Sequence, residues 1–285
     1  MTTRTLAGTT VLVSGGSRGI GLAIALRAAR DGANIVLLAK PATPHPKLEG
    51  TIYTAAEQVE AAGGRAVPVV GDLRSDEDVE RAVSEAAAAF GGIDAVVNNA
   101  SAIDLSPTTK ITMKRYDLLQ NINARGTFAL TRAALPYLEA AANPHILTLS
   151  PPLNLNPRWA GAHLAYTLSK YGMSLCTLGF ADEFADKGIA ANSLWPRTTI
   201  GTAAIRNLLG GDVAMRKART PDIMADAAHA ILTRDSRTCT GNFYTDEDVL
   251  REEGITDFSG YRLAAREEDL DLDFFLPAAP LPARA

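Results

Sequence analysis

The sequence predicts an α/β fold built on one doubly wound, mostly parallel sheet of seven strands with helices on both faces. Three observations point to it. Seven short apolar runs alternate with longer Ala-rich segments of helical period, the pattern of repeated β-α units. The runs are apolar at nearly every position, not at every second one, as strands covered on both faces are. The first run passes directly into a glycine-rich turn, Ser14-Gly15-Gly16-Ser17-Arg18-Gly19-Ile20-Gly21, and from there into a helical segment.

Taken in order, the first strand is expected at Thr10–Val13 and its helix near 20–31. The second strand, Asn34–Ala39, leads into residues 41–51, where three prolines forbid a helix and impose an extended loop before a helix near 52–62. Strands Ala66–Val70, Ala95–Asn98 and His145–Leu149 alternate with helices near 76–90, 116–141 and 164–187, and Ala190–Trp195 is the sixth strand. Residues 196–221 mix Thr, Gly and Arg without a period and are expected to form a mobile flap. A helix near 222–233 and the strand Asn242–Thr245 close the series. Residues 1–262 are read as one domain. Residues 263–285 are read as an acidic tail (EEDLDLDFF, then a Pro/Ala end) that docks as an arm and frays at its terminus.

With 285 residues, 47% of them hydrophobic, the chain can bury a core that needs no disulfide or structural metal. Its 28 basic and 32 acidic residues give a net charge of −4, which argues against nucleic-acid binding. Cys176 and Cys239 fit no disulfide framework or metal spacing and read as small core residues in a reducing compartment. His45, His145, His163 and His229 are scattered, so no metal site is expected. No run approaches the roughly 18 apolar residues of a membrane span. The glycine-rich turn begins within fifteen residues of the start, which leaves no room for a signal peptide. A cytoplasmic protein is expected.

The glycine-rich turn has the form of a dinucleotide site. Gly15, Gly19 and Gly21 let the backbone turn tightly and approach a pyrophosphate, to which the following helix offers unpaired N–H groups. An NAD site usually carries an acid at the end of the second strand to hold the ribose 2′-hydroxyl. Here that strand ends Leu37-Leu38-Ala39-Lys40. Lys40, with Arg18 close by in the turn, favours a 2′-phosphate, so NADP(H) is expected ahead of NAD(H); the plainer reading of Lys40 is a solvated loop charge. Further on, Tyr166 and Lys170 lie one helical turn apart on one face. An ammonium near a phenol stabilises the phenolate and makes a tyrosine able to exchange protons with an alcohol or ketone.

Together these residues resemble the short-chain dehydrogenase/reductase family, over roughly residues 7–250 and with the family's landmarks in order. The turn at 14–21 matches its Thr-Gly-x-x-x-Gly-x-Gly element and implies a Rossmann-type fold. Asp72-Leu73 matches the adenine-contacting acid after the third strand. Asn98-Asn99-Ala100 matches Asn-Asn-Ala-Gly, with Ser101 in the glycine's place. Asn123 matches the helix asparagine that supports a proton-relay water. The resemblance implies Tyr166 as general acid/base, with Lys170 holding the nicotinamide ribose and lowering the tyrosine pKa. It also implies cofactor contacts from Ser17, Ile20, Asn99, Ala100 and Pro196, with Thr199 or Thr202 at the carboxamide. An enoyl reductase of this superfamily would place a tyrosine seven residues before Lys170, where His163 stands.

Two stretches depart from the family. Its catalytic serine lies 13 positions before the tyrosine, whereas Ser150 lies 16 before Tyr166, and Pro151 stands at the usual place counted from the strand. Ser150 and Asn154 are the candidates for the role, and its absence is the third reading. Trp195-Pro196-Arg197 replaces the Pro-Gly after the sixth strand; Arg197 would meet a cofactor phosphate, an acidic substrate group or solvent. Both departures, and the Pro-His-Pro at 44–46, resemble the hydroxysteroid dehydrogenase-like subgroup, whose longer members add a C-terminal sterol-carrier domain. No such domain is expected here, nor is a peroxisomal address in the final Ala-Arg-Ala.

The expected function is therefore hydride transfer between the nicotinamide and a carbonyl or secondary alcohol of a bulky apolar, lipid-, terpenoid- or steroid-like molecule. Leu153, Leu155, Trp159, Trp195, Leu208, Leu209 and Met215 are expected to wall the pocket. The alternative is a low-turnover NADP(H)-binding sensor or scaffold on the same fold. The Ala/Leu-rich helices at 116–141 and 164–187 point to a homo-oligomer, a tetramer by resemblance.

Overall fold

The computed structural model describes residues 4–44, 50–208 and 210–277; His45, Pro46, Leu209 and the end from 278 lie outside the described residues. The seven strands are β1 (Thr10–Ser14), β2 (Asn34–Ala39), β3 (Arg65–Val70), β4 (Ala95–Asn98), β5 (His145–Thr148), β6 (Ala190–Trp195) and β7 (Phe243–Thr245). All their pairings are parallel, in the order β3-β2-β1-β4-β5-β6-β7. The order reverses between β1 and β4, and the crevice there is where doubly wound sheets bind ligands.

The first helices are α1 (Gly19–Ala29), α2 (Ile52–Ala61), α3 (Asp76–Phe90), α4 (Met113–Gln120) and α5 (Gly126–Leu138). Then come α6 (Pro157–Ala162), α7 (Leu164–Glu183), α8 (Ala203–Leu208), α9 (Gly211–Met215), α10 (Asp222–Leu232) and α11 (Asp246–Glu252). Alternate residues of β1 serve two layers, which is why the strand has no polar face. Val11 and Val13 pack in the cluster with Ile24 of α1 and Met224 of α10, while Leu12 packs in the one with Val83 of α3 and Leu130 of α5. Local chemistry sets several helix starts. The Ser75 hydroxyl accepts from the Asp78 N–H, and three acids fill the first turn of α3. Thr51 and Thr54 cap each other reciprocally at α2.

Four segments differ from the sequence expectation. The helix expected over 116–141 is α4 and α5 joined by a π-helical turn, Asn121–Arg125. The flap over 196–221 contains α8 and α9 and is closed at its base, where Gly201 N–H donates to the Arg219 carbonyl (2.8 Å) and Arg219 N–H to that of Thr199 (2.9 Å). The wholly buried Arg219 guanidinium pairs there with Glu247 and Glu267. Helices α6 and α11, which begin after the Asn156 and Thr245 caps, lie outside the expected helices. Among the described residues, no helix is long and apolar enough to cross a membrane.

The segment after 262 docks against the domain. Asp271 N–H donates to the Lys217 carbonyl, and Thr199 N–H to that of Asp271. Phe275 and Leu276 join Leu119, Tyr166 and Trp195 in a third apolar cluster. Phe275 is the one described non-glycine residue with positive φ (69°). Such a conformation costs about 1–3 kcal/mol and survives only where the surroundings hold it.

Candidate active site

A cavity of about 810 Å³ runs along the C-terminal ends of β1 to β6, from Lys40 and Asp72 at one end to Tyr166 and Lys170 at the other. That volume suits a dinucleotide with room for a second molecule.

Its middle is the glycine-rich turn. Gly15 has φ +68°, and a Cβ there would stand 2.9 Å from the Ala100 Cα. At Gly21 a Cβ would meet the Asn99 amide at 2.4 Å. Without it, the Asn99 side chain donates to the Ser14 and Gly15 carbonyls at 3.0 Å each and ties β4 to the turn. The Ser14 hydroxyl accepts from the Asn99 and Ala100 N–H groups (3.1 and 3.2 Å). No side chain caps α1 and no acid lies in its first turn, so its leading N–H groups and positive dipole end are left for an anion. Ser17, Arg18, Gly19 and Ile20 are on the wall beside that end. These residues fit the pyrophosphate of a dinucleotide; Gly21 acts behind the wall, through Asn99.

The cavity end beside Lys40 and Asp72 is ringed by charge. Lys40 Nζ lies 2.9 Å from Asp72 Oδ2, and Arg74 reaches the same oxygen at 2.6 Å. The Arg74 hydrogen bond, helped by Lys40, holds the Asp72 carboxyl well below the usual range. Arg18 donates to the Gly50 carbonyl at 3.1 Å. Lys40 is thus neither free nor deep; it is a well-exposed partner of Asp72. Leu73 and Ala39 line the same end.

At the other end Tyr166 and Lys170 of α7 share one face, both nearly buried. Lys170 Nζ donates to the Leu149 carbonyl (2.8 Å) and sits 5.1 Å over the Trp195 ring. Burial pulls its pKa down to about 7, and burial pushes the Tyr166 phenol above its usual value, with the Asp273 charge adding to the rise. The phenol is thus raised, by desolvation first, where a lowering by Lys170 was expected. The sequence reading did not single out Asp273. It lies on the same wall, its N–H donating to the Arg197 carbonyl (3.0 Å), and burial pushes its carboxyl up to about 7.

Asn123, wholly buried in the π-helical turn, accepts from Ala102 N–H (2.8 Å) and donates to its carbonyl (3.1 Å) and to the Ser169 hydroxyl (2.9 Å). It stands behind the wall, bracing the segment after β4 against α7. Ser150 is also wholly buried; its hydroxyl lies 2.7 Å from that of Ser193, which donates to Thr177, and it is not on the cavity wall. Asn154 donates to the Phe275 carbonyl. Pro196 and Thr202 line the cavity, whereas Thr199 is drawn into the bonds at the base of the flap. Arg197 turns its guanidinium toward Glu247 (3.7 Å) and off the wall. Of the apolar residues expected around the substrate, Trp195 is on the wall. Leu155 is 86% exposed, Trp159 packs on Phe275, and Leu209 lies outside the described residues. Ile103, Ile122, Ile200 and Ile205 form the apolar wall instead.

Residues 9–209 match the family model described as short chain dehydrogenase. The chain is 54% identical to the Xenopus laevis protein named hydroxysteroid dehydrogenase-like protein 2 over 275 residues, which cover 96% of this chain and 65% of that protein. It therefore spans just under two thirds of that relative's length. A crystal structure of a short chain dehydrogenase from Mycobacterium thermoresistibile superposes with a TM-score of 0.92 at 51% identity, covering 98% of this chain and 99% of that one. A metagenomic short-chain oxidoreductase solved in complex with NADP superposes at 0.68 with 27% identity, over 84% of this chain and 97% of its own. With its parallel seven-stranded sheet and this match over most of its length, the chain belongs to the short-chain dehydrogenase family.

Proposed function

We propose that the protein is an NADP(H)-dependent oxidoreductase acting on a carbonyl or secondary-alcohol carbon of a bulky, largely apolar substrate. The observation that carries this reading is one cavity with the bare N-terminus of α1 on its wall and the Tyr166–Lys170 pair at its inner end. The dinucleotide, when bound, supplies or accepts a hydride at its nicotinamide. The chain's own residues bind, orient and move the proton. Tyr166, kept protonated by burial, is in the state that donates to a carbonyl oxygen and takes the proton back in the reverse direction. Lys170 would hold the nicotinamide ribose, and Gly15, Ser17, Gly19 and the α1 N-terminus the pyrophosphate.

Preference for NADP(H) rests on Ala39 in the acid's place, on Arg18 and Lys40 on the same wall, and on Lys40 and Arg74 paired with the one carboxylate of Asp72. Exposed pairs such as Lys40–Asp72 contribute only about 0–1 kcal/mol, so a 2′-phosphate competes for the lysine. The four isoleucines on the wall support an apolar substrate. Exposed Phe128 on α5 and Leu164, Leu168, Leu175 and Leu178 on α7 support a homo-oligomer, which a single-chain mass by light scattering would contradict.

The test is a panel of ketones of rising chain length, each with and without a terminal carboxylate, run with NADPH and NADH. NADPH-dependent turnover that rises with apolar length is expected. Tight NADPH binding with no turnover across the panel would make the protein a dinucleotide-binding sensor or scaffold instead.

A further inference from the structure

The family's serine puts a hydroxyl beside the tyrosine, and neither residue expected to fill that role is free to do so. Pro151 occupies the position, Ser150 is spent on Ser193, and Asn154 on the Phe275 carbonyl. What the fold brings to that end of the cavity is a carboxyl. Asp273 is fixed from both sides by the end of β6: its own N–H donates to the Arg197 carbonyl (3.0 Å), and the Trp195 indole N–H donates to the carbonyl of Phe274 (3.0 Å). Asp273 Oδ1 accepts from the Phe274 N–H (2.7 Å), while Oδ2 has no hydrogen-bond partner among the described residues. Two residues on, Phe275 is held at positive φ by the rings of Trp159, Tyr166, Tyr171 and Trp195. Strained backbone of this kind gathers at functional sites because the packing there over-determines it.

We propose that the Asp273 carboxyl, carried in on the C-terminal arm, is a catalytic residue: the second hydrogen-bonding group on the reacting oxygen. The inference rests on the reading of Tyr166 given above. In reduction the carbonyl carbon receives the hydride and its two electrons, the dihydronicotinamide being oxidised. The C=O π pair takes the phenol proton of Tyr166 to form the new O–H bond. Asp273 donates a hydrogen bond to that oxygen throughout and keeps its own proton. The groups facing it are Lys170 and Tyr166 from α7 and Asp246 from α11. Desolvation and the Asp246 charge hold the proton on, against Lys170 and the Phe274 N–H. A neutral carboxylic acid in an apolar site is an effective donor to a developing oxyanion, whereas an ionised one repels it. Ionisation of Asp273 therefore slows reduction as pH rises through about 7, and loss of the Lys170 proton over the same range adds to the fall.

The experiment compares wild type, Asp273→Asn, Asp273→Ala and Tyr166→Phe in NADPH-dependent reduction of the fastest ketone of the panel. Alongside it, a carbon-13 titration of aspartate carboxyls in wild type and Asp273→Asn needs no substrate. Asp273→Ala is expected to lower kcat by about 10²–10³-fold with NADPH affinity within a few-fold. Asp273→Asn, an amide that donates at every pH, keeps more than about a tenth of kcat and falls less steeply above neutral pH than wild type, the remaining fall being that of Lys170. Two carboxyl resonances titrating near 7, those of Asp246 and Asp273, are expected in wild type, and the Asp273 one is missing from Asp273→Asn. The proposal is overturned if Asp273→Ala keeps wild-type kcat and pH profile, or if the Asp273 resonance titrates in the ordinary range near 4. Full activity in Tyr166→Phe removes the tyrosine mechanism itself, whereas an inactive Tyr166→Phe beside a fully active Asp273→Ala removes only the role of Asp273.

Discussion

Replacing Phe275 with alanine asks how firmly the C-terminal arm is seated. The ring is wholly buried, and the rings of Trp159, His163, Tyr166, Tyr171 and Trp195 lie between 5.3 and 6.2 Å from it, centroid to centroid. Truncating a phenylalanine in such a setting costs about 3–5 kcal/mol, the lost transfer free energy plus the cavity left behind. Alanine recovers none of the backbone strain, since it too resists φ near 69°. The arm, however, is tied to the domain by a few backbone bonds, so it can open while the sheet stays folded. The penalty then appears as local opening, not as loss of the whole fold. Hydrogen exchange of amides 270–276 in Phe275→Ala is expected to speed up by about 10²–10³-fold, while strands β1, β4 and β5 keep their protection. Uniform loss of protection across sheet and arm, or an unchanged arm, would refute the idea of a separately seated segment.

Three further outcomes follow from named groups. NADPH should be preferred to NADH in kcat/KM, and Lys40→Asp should reverse the preference, since a charge-assisted contact to phosphate is worth about 1.5–3 kcal/mol, or roughly 10–100-fold; an NADH preference in wild type contradicts the charge argument. His145, whose Nε2 lies 3.0 Å from the Arg234 carbonyl and whose Nδ1 is buried without a partner, has its pKa lowered by burial from 6.5 to about 4. The unfolded chain takes up that proton near 6.5 and the fold resists it, so stability is full above 6.5 and falls by about 3 kcal/mol toward pH 4; His145→Gln should flatten that slope in urea titrations. Gly15→Ala, which places a methyl 2.9 Å from the Ala100 Cα at φ +68°, should weaken NADPH binding by more than tenfold, measured by cofactor fluorescence.

The sheet was readable in the sequence because burial on both faces leaves uninterrupted runs such as Ile35–Leu38, all at or near zero exposure. The glycine-rich turn was readable because its spacing is a backbone requirement, visible one residue at a time. The π-helical turn at Asn121–Arg125 was not, since one inserted residue barely disturbs a helical period. Helix α6 carried a signal that went unused, the Asn156 cap followed by Pro157 at the first helical position. Ser150 and Asp273 show the limit of spacing arguments. Whether a hydroxyl after β5 faces the cavity or Ser193 depends on how the Pro151-Pro152 pair turns the chain. Asp273 comes to the Tyr166 end of the cavity from more than a hundred residues away, on an arm that was expected to dock but whose place of docking no spacing fixes. The pair Phe274-Phe275 inside that acidic stretch was the one hint that it is anchored.

The central claim is that Tyr166 carries the proton in a nicotinamide-dependent reaction at this cavity. Its most direct test is the kcat of Tyr166→Phe with NADPH and the fastest ketone of the panel, measured beside the Kd for NADPH. Loss of the phenol proton should lower kcat by about 10²–10⁴-fold and leave the Kd within a few-fold, since the remaining ring still fills the wall against Phe275. A Tyr166→Phe enzyme that keeps a substantial share of wild-type kcat would contradict the account.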